Sequence, residues 1–366
     1  MGQWHGAMNT FNFEAETETC RDRRPNQKGK NVRKTMNKKQ SATRKRGPST
    51  EKLVVRQILV PMDFSGYARQ ALTCAVPLAR ALRAKVSLVH VVQPPTVSTW
   101  RGIPGGGHYL SMNMHRLVDV AKTHLDDLAA QLLPDELQGR TVVREGNPPY
   151  EVVAAAKAIK ADLIVLSNTG RSGLKRVVLG STAERIIRHA HCPVLTVRRQ
   201  MNESAKRLLA LQPPLYPKTL PWRRILVPLD FSLTSLRALK LAVPLARRSE
   251  ARLLLLNVIE PNPYATGMEG AVLVLPEVTV ARNAKKQLPQ VARRFVPKSI
   301  PVTSLVGNGR AADVIVKTAE EKGADLIMLS THGHTGLDRL LMGSTAEQVV
   351  RSAKCPVFVV RKPRGL

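Results

Sequence analysis

Two short segments of this chain hold residue types suited to binding an anion, and each segment occurs twice. The first is Asp63-Phe64-Ser65, repeated as Asp230-Phe231-Ser232. The second runs Ser167-x-x-Gly170, nine residues, then Gly180-Ser181-Thr182; its repeat runs Ser330-x-x-Gly333, nine residues, then Gly343-Ser344-Thr345. Glycine has no Cβ, so backbone N–H groups near it can approach phosphate oxygens closely. Gly-Ser-Thr opening a helix gathers unpaired N–H groups, the positive end of the helix dipole and two hydroxyls at one point. Asp63 or Asp230 could accept hydrogen bonds from a base or a ribose, and Pro228 stands just ahead of Asp230 at the same strand end. A branched side chain at Gly343 is expected to meet the phosphates while sparing the fold.

The same residues also have a purely structural reading. Ser344 with Glu347, and Ser181 with Glu184, have the spacing of a capping box. Asp63 and Asp230 suit a strand-to-helix turn. Gly146-Asn147-Pro148 and Gly307-Asn308-Gly309 both follow a third strand, as pocket lining or as turns. His332 and His334 have no carboxylate or Cys pattern around them, so no metal site is expected. The glycine-rich stretch Trp100–His108 reads as a flexible loop rather than a phosphate cradle.

The elements that must position these residues are legible from a repeat. "ILVPMDFSGYARQALTCAVPLARALRAKVSLVHVVQP" from Ile58 aligns without a gap on "ILVPLDFSLTSLRALKLAVPLARRSEARLLLLNVIEP" from Ile225. "ADLIVLSNTGRSGLKRVVLGSTAERIIRHAHCPVLTVRR" from Ala161 matches "ADLIMLSTHGHTGLDRLLMGSTAEQVVRSAKCPVFVVRK" from Ala324. Identity at a domain-sized interval means duplication. The boundaries read from this are a basic tail at 1–51, one domain at 52–200, a linker at 201–221 rich in proline (Pro213, Pro214, Pro217 and Pro221), and a second domain at 222–363.

In the first domain the pattern predicts strands at 57–61, 86–92, 141–145, 163–167 and 194–198. Helices are predicted near 67–81, 114–133, 150–159 and 181–190. Nearly every strand is continuously apolar, which implies burial on both faces of a parallel sheet with helices on each side. Right-handed crossovers then favour a doubly wound α/β fold, in which ligands bind beyond the carboxyl ends of the strands where the strand order reverses.

Composition narrows the function classes. The chain has 366 residues, of which 43% are hydrophobic, enough for two cored domains. No stretch has the apolar length of a membrane span and the N-terminus has no secretory h-region, so a cytoplasmic location is expected. Lys and Arg number 57 against 27 Asp and Glu, a net charge of +30 that attracts polyanions without selecting one. Aromatic residues at 4% argue against a base-stacking platform. The tail is expected to be disordered, either a polyanion-binding arm or a solubilising extension. Cys20, Cys74, Cys192 and Cys355 form no CxxC pair and are expected to be small buried thiols.

The segments "VPLDFS" and "STHGHTGLDRLLMGSTAEQVVRSAKCPVFVV", with their first-copy counterparts, resemble universal stress protein domains across about 85% of the chain. The resemblance implies two tandem Rossmann-like or flavodoxin-like domains, each a five-stranded parallel sheet of order 3-2-1-4-5. It implies ATP as ligand, with or without Mg2+, its adenine and ribose near the strand-one Asp and its phosphates on the glycine loop. It also implies an intramolecular pseudo-dimer through the fifth strands, with further homodimerisation open. Both copies depart from the family motif: Ser167 and Ser330 replace its first glycine. Copy one carries Asn168-Thr169 where copy two has Thr331-His332, nearer the family form, so copy two is the expected principal site.

The expected function is a non-catalytic, ATP-binding regulatory protein of the stress response. An adenine-nucleotide hydrolase is disfavoured, because "VPMDFS" and "VPLDFS" stand where such enzymes carry a Ser-Gly-Gly-type loop, and no nucleophile–base pair is evident. A nucleotide-free interaction protein with a polyanion-binding tail is the alternative.

Overall fold

The computed structural model describes residues 54–94, 106–168, 179–197, 220–261, 274–331 and 342–361; of 106–113 and 274–278 it describes the backbone alone. The tail, Cys20, Gly170, Gly333, His332, His334 and the linker prolines 213, 214 and 217 lie outside the described residues.

Copy one runs β1 (Gln57–Pro61), α1 (Gly66–Leu82), β2 (Lys85–Val92), α2 (Gly106–Leu132), β3 (Gln138–Glu145), α3 (Pro148–Ala158), β4 (Leu163–Ser167), α4 (Ser181–His189) and β5 (Val194–Val197). Copy two repeats the order with β6 (Arg224–Pro228), α5 (Leu233–Ser249), β7 (Arg252–Ile259), α6 (Val274–Phe295), β8 (Val302–Asn308), α7 (Ala311–Glu321), β9 (Leu326–Ser330), α8 (Ser344–Ser352) and β10 (Val357–Val360). The expected strands and helices are present. The helix expected from Met114 starts earlier, at Gly106, so the end of the Trp100–His108 stretch is helical rather than loop.

The ten strands form one sheet, in the order β3-β2-β1-β4-β5-β10-β9-β6-β7-β8. Each half is parallel and has the order 3-2-1-4-5. The halves join where β5 and β10 pair antiparallel, with Val357 opposite Thr196, Phe358 opposite Leu195 and Val359 opposite Val194. This junction removes two strand edges that would otherwise offer unpaired backbone groups. It also makes the cores continuous. One cluster, on the α1, α2, α5 and α6 face, runs from Leu72 and Leu125 through Phe358 to Leu239 and Leu288. The other, on the α3, α4, α7 and α8 face, links Ile187 and Val194 to Val349 and Val357. Leu220 and Trp222 are 2% and 1% exposed, so the chain entering copy two is anchored in the first cluster.

Ion pairs cross the junction. Arg188 lies 2.9 Å from Glu184 and 3.7 Å from Glu347; Arg351 lies 3.0 Å from Glu347 and 3.9 Å from Glu184. Arg361, just past β10, donates from Nη1 to the carbonyls of Ile187 and Arg188 at the end of α4. Such C-terminal carbonyls have no partner within the helix and favour a cation.

Candidate functional site

β1 pairs with β2 on one side and β4 on the other, so the order reverses between them; β6, β7 and β9 repeat this. The loops after β1 and β4 therefore open at the same end of the sheet. In copy one they border a cavity of about 390 Å³ lined by Asp63, His90, Gln93, Ser167, Gly180, Ser181 and Thr182, with Pro61, Met62, Val89, Leu166 and Ile186 among its apolar walls. That volume suits a small-molecule ligand. The two segments singled out in the sequence thus meet in one concavity. In copy two, Pro228, Asp230, Ser330, Gly343, Ser344 and Thr345 occupy the equivalent ends of β6 and β9 and the start of α8.

Asp63 shapes the first loop. Its Oδ1 accepts from the Ser65 N–H at 3.0 Å and the Ser65 hydroxyl at 2.5 Å. Ser65 in turn N-caps α1, its Oγ accepting from Ala68 N–H at 3.2 Å. Asp230 and Ser232 repeat this ahead of α5, at 3.0 and 2.6 Å. Each Asp therefore holds its turn through Oδ1. The turn needs holding, since Phe64 and Phe231 sit at φ of 62° and 63°, a region that bulky side chains rarely adopt. The Phe64 ring stacks against His124 and tilts onto His90, with centroids 4.4 and 4.3 Å away.

The capping-box reading of the second segment does not hold. Gly180 and Gly343 are the N-caps of α4 and α8, and neither cap uses a side chain. Ser181 and Ser344 are the first helical residues, one place too late to cap with Glu184 and Glu347. The N–H groups of Glu184 and Glu347 already bond the carbonyls of Gly180 and Gly343 at 3.0 Å. The preceding three N–H groups of each helix, from Ser181 to Ala183 and from Ser344 to Ala346, have no intrahelical acceptor. These amides and the Ser-Thr hydroxyls gather hydrogen-bond donors at the first turn of each helix.

The glycine itself does something the sequence did not reveal. The Gly343 N–H donates to Thr331 O at 2.8 Å, and Gly180 N–H donates to Asn168 O at 2.9 Å, closing the base of the loop after strand four. A Cβ on Gly343 would lie 2.9 Å from Thr331 O. Gly343 is thus required by its own backbone neighbour. The expectation that a branched side chain there would spare the fold is corrected on this ground.

Sequence reasoning missed His90 and Gln93. A ring nitrogen of His90, Nδ1, lies 2.7 Å from Met62 O, and a carbonyl can only accept, so Nδ1 carries the proton. Asn257, at the same place in copy two, donates to Leu229 O at 2.7 Å. The signal was present in the sequence: a polar residue at the same place in each mostly apolar second strand. Gln93 corresponds to Glu260, whose Oε1 accepts from Ala311 N–H at 2.8 Å. The placement of Gly307-Asn308-Gly309 after the third strand is also corrected. Gly146 and Gly309 are the equivalents, at φ of 132° and 128°, while Gly307 and Asn308 belong to β8.

Among the described residues burial keeps the thiols in their protonated form. Burial raises Cys74 to about 11 and Cys192 and Cys355 to about 12, and all three are unpaired with one another. Cys74 and Cys192 are buried as expected; Cys355 is half-buried. Among the described residues no three His, Cys, Asp or Glu side chains gather as a metal site, and no helix is long and apolar enough to cross a membrane.

Comparison with known proteins agrees with this architecture. A universal stress protein of Mycolicibacterium smegmatis is 27% identical over 320 residues, covering 83% of this chain and 96% of its own length. A universal stress protein of Methanocaldococcus jannaschii is 34% identical over 144 residues, 39% of this chain and 84% of its own. The crystal structure of a universal stress protein from Archaeoglobus fulgidus superposes with a TM-score of 0.55, covering 86% of this chain and all of that one; at 18% identity the likeness is one of fold. The profile of the universal stress protein family matches twice, at residues 55–198 and 221–361, and the chain belongs to that family.

Proposed function

We propose that this protein is a nucleotide-binding regulator that holds ATP at the carboxyl end of the sheet in each copy and does not turn it over appreciably. The observation that carries this reading is the α4 first turn opening onto the cavity that Asp63 also borders. The N–H groups and hydroxyls of Ser181 and Thr182 suit phosphate oxygens, and the apolar walls suit a base. Copy two has the same arrangement at Asp230, Ser330 and Gly343-Ser344-Thr345, with Gly170 and Gly333 completing the two motifs in sequence. Mg2+ would arrive with the triphosphate and neutralise part of its charge.

Holding rather than cleaving fits the side chains at hand. Transfer of a γ-phosphoryl group needs an oriented nucleophile and neutralisation of developing charge. Among the described residues that line the copy-one cavity there is no Lys or Arg, Arg171, Lys175 and Arg176 of the adjoining loop lying outside the described residues, and Asp63 is engaged in shaping its turn.

The test is to isolate the protein, identify any nucleotide that co-purifies, and titrate ATP by calorimetry with phosphate release followed in parallel. Binding with release far slower than about 1 per second supports the reading. Release at or above that rate makes the protein an enzyme. No ATP binding favours the alternative, an interaction protein in which Ser167 and Ser330 have closed the site to nucleotides.

A further inference from the structure

The two copies share one fold, so each serves as a control for the other. Their second helices, α2 and α6, place the same residue types in the core: Ala121 and Leu125 in one, Ala284 and Leu288 in the other, all buried. With that register fixed, the outward faces differ mostly in one direction, Arg116 opposite Thr279 being the exception. Copy one carries Asp119, Asp126 and Asp127 where copy two carries Arg282, Pro289 and Gln290. Copy one carries Thr123, Ala130 and Gln131 where copy two carries Lys286, Arg293 and Arg294. Lys122 of α2 pairs with Asp126 at 2.5 Å; its equivalent, Lys285, has Pro289 in that partner's place.

The outcome is a cationic face. From Thr279 onward α6 holds five Lys and Arg residues (Arg282, Lys285, Lys286, Arg293 and Arg294), all exposed, and no acid. Neighbouring α5 contains Arg237, Lys240, Arg247 and Arg248 and likewise no acid. Among the described residues no carboxylate pairs with any of these side chains. Lys240 and Arg294 lie over the Phe295 ring, 5.6 and 5.4 Å from its centre, linking the two helices into one surface. Arg282, Lys285, Lys286 and Arg293 fall at helical spacing along one stripe about 16 Å long. Charges of one sign at i and i+4 cost helix stability. The fold does not require them, because α2 fills the same position with balanced charge.

We propose that the α6 face of the second copy docks the phosphodiester backbone of double-stranded nucleic acid without reading its sequence. A stripe of about 16 Å spans about five phosphates of one strand. A lipid surface fits less well. The apolar side of α6 is already used: Leu288 is in the core, with Val291, Ala292 and Phe295 packed against it. A helix lying in a membrane needs that side exposed. A single strand fits less well too, since it calls for exposed aromatic rings, and Phe295 is covered by two cations. No residue of α6 lines the copy-one cavity.

The experiment uses the full chain and a fluorescent 20-base-pair DNA duplex, with affinity measured from low to moderate salt. The variant is Arg282→Gln, Lys286→Gln, Arg293→Gln. The control, Lys157→Gln, Lys317→Gln, Lys322→Gln, removes the same charge from α3 and from α7 and its C-cap on the opposite face of the sheet, so the tail and net charge act equally in both. Circular dichroism verifies folding, and all substitutions keep good helix formers. The expected result is that the α6 variant lowers the slope of log affinity against log salt by about 2 to 3, roughly 0.9 for each phosphate no longer neutralised, while the control leaves it near the starting value. Equal slopes for the two variants would overturn the proposal in favour of diffuse attraction, as would absence of duplex binding at low salt. Binding to vesicles of anionic phospholipid that is lost in the α6 variant while duplex binding is kept would overturn it in favour of a membrane contact.

Discussion

Replacing Ser181 and Ser344 with glutamate, singly and together, should push stability and ATP binding in opposite directions. Both serines are the first residues of their helices and both are exposed, so a longer side chain meets no core. A carboxylate in a first helical turn interacts favourably with the helix dipole, by about 0.3–1 kcal/mol. For a fold of this size that is an upward shift in Tm on the order of 1–3 °C. The same carboxylate would stand about 5 Å from a phosphate bound to the helix N-terminus. At that distance one pair of like charges costs about 0.8 kcal/mol in bulk water and about 3 kcal/mol at an effective dielectric constant near 20. The opening to solvent argues for the lower half of this range, which is still a loss of about four- to thirtyfold in affinity. Calorimetric titration with ATP reads the loss, thermal unfolding reads the stability, and Ser181→Gln and Ser344→Gln supply the same bulk without the charge. The copy whose Glu variant loses binding is a copy that binds. Unchanged affinity in the double Glu variant would refute phosphate placement at these helices. Equal losses with Gln and Glu would refute the electrostatic argument and leave only sterics.

Further expectations concern the fold. Gly343→Val should lower stability by about 1–3 kcal/mol through collision with Thr331 O, seen as a reduced midpoint in urea even without nucleotide. Asp63→Ala should destabilise by about 1–2 kcal/mol by freeing the Phe64 turn, so its effect on ATP has to be read from protein verified as folded. Glu184→Gln and Glu347→Gln should each weaken stability slightly, and a double-mutant cycle against Arg351→Gln should show coupling that fades at high salt. The raised thiols of Cys74, Cys192 and Cys355 stay protonated through pH 9, where a model thiol is half ionised; peptide mapping should find them slow to alkylate in the native protein and fast in denaturant.

Much of the fold was legible because its signals are local. Continuous apolar runs gave the strands of a doubly covered sheet, and the repeat located the second domain without separate reasoning. Strand limits such as Gln57–Pro61 and Leu163–Ser167 follow from sharp polar flanks. Asp63, Ser167, Gly180, Ser181 and Thr182, all marked in the sequence, line one cavity, but the work each residue does was less legible. Spacing could not tell that Gly343, rather than Ser344, occupies the cap, because both Gly and Ser are favoured there. Nor could it tell that the missing Cβ accommodates a carbonyl of the same chain, a contact between the two ends of a loop. Phe64 at positive φ was invisible, since the sequence signal for that conformation is glycine, and here an Asp-Ser hydrogen-bond pair holds a phenylalanine in it. His90 could have been found, as a polar residue in a mostly apolar strand. Gly307 and Asn308 read as residues following the third strand, whereas both lie within β8 and it is Gly309 that shares the backbone conformation of Gly146.

Duplication within one chain separates what the fold demands from what it merely permits. Positions that keep residue type in both copies are those with a geometric duty: the Asp and Ser that brace the strained turn, the glycine under the Thr331 or Asn168 carbonyl, and the Glu and Arg that meet across the β5–β10 junction. These would be retained whether or not a nucleotide ever binds, so their repetition alone is weak testimony to function. Positions that differ carry more information. Gln93, which lines the copy-one cavity, is replaced in copy two by Glu260, whose carboxylate beside the α7 N-terminus already partly satisfies the dipole there. His90 against Asn257 preserves a hydrogen bond to the turn after the first strand while replacing an imidazole by an amide. On this reasoning the two sites should differ in affinity even where their Gly-Ser-Thr turns are identical. The charge at Glu260 predicts that copy two is the more dependent on a divalent cation delivered with the triphosphate. Titrating Ser181→Glu and Ser344→Glu proteins with ATP, in the presence and absence of Mg2+, measures each remaining site by itself. Copy two should gain more affinity from Mg2+ than copy one, and an equal gain at both would show that the Glu260 charge does not reach the phosphates.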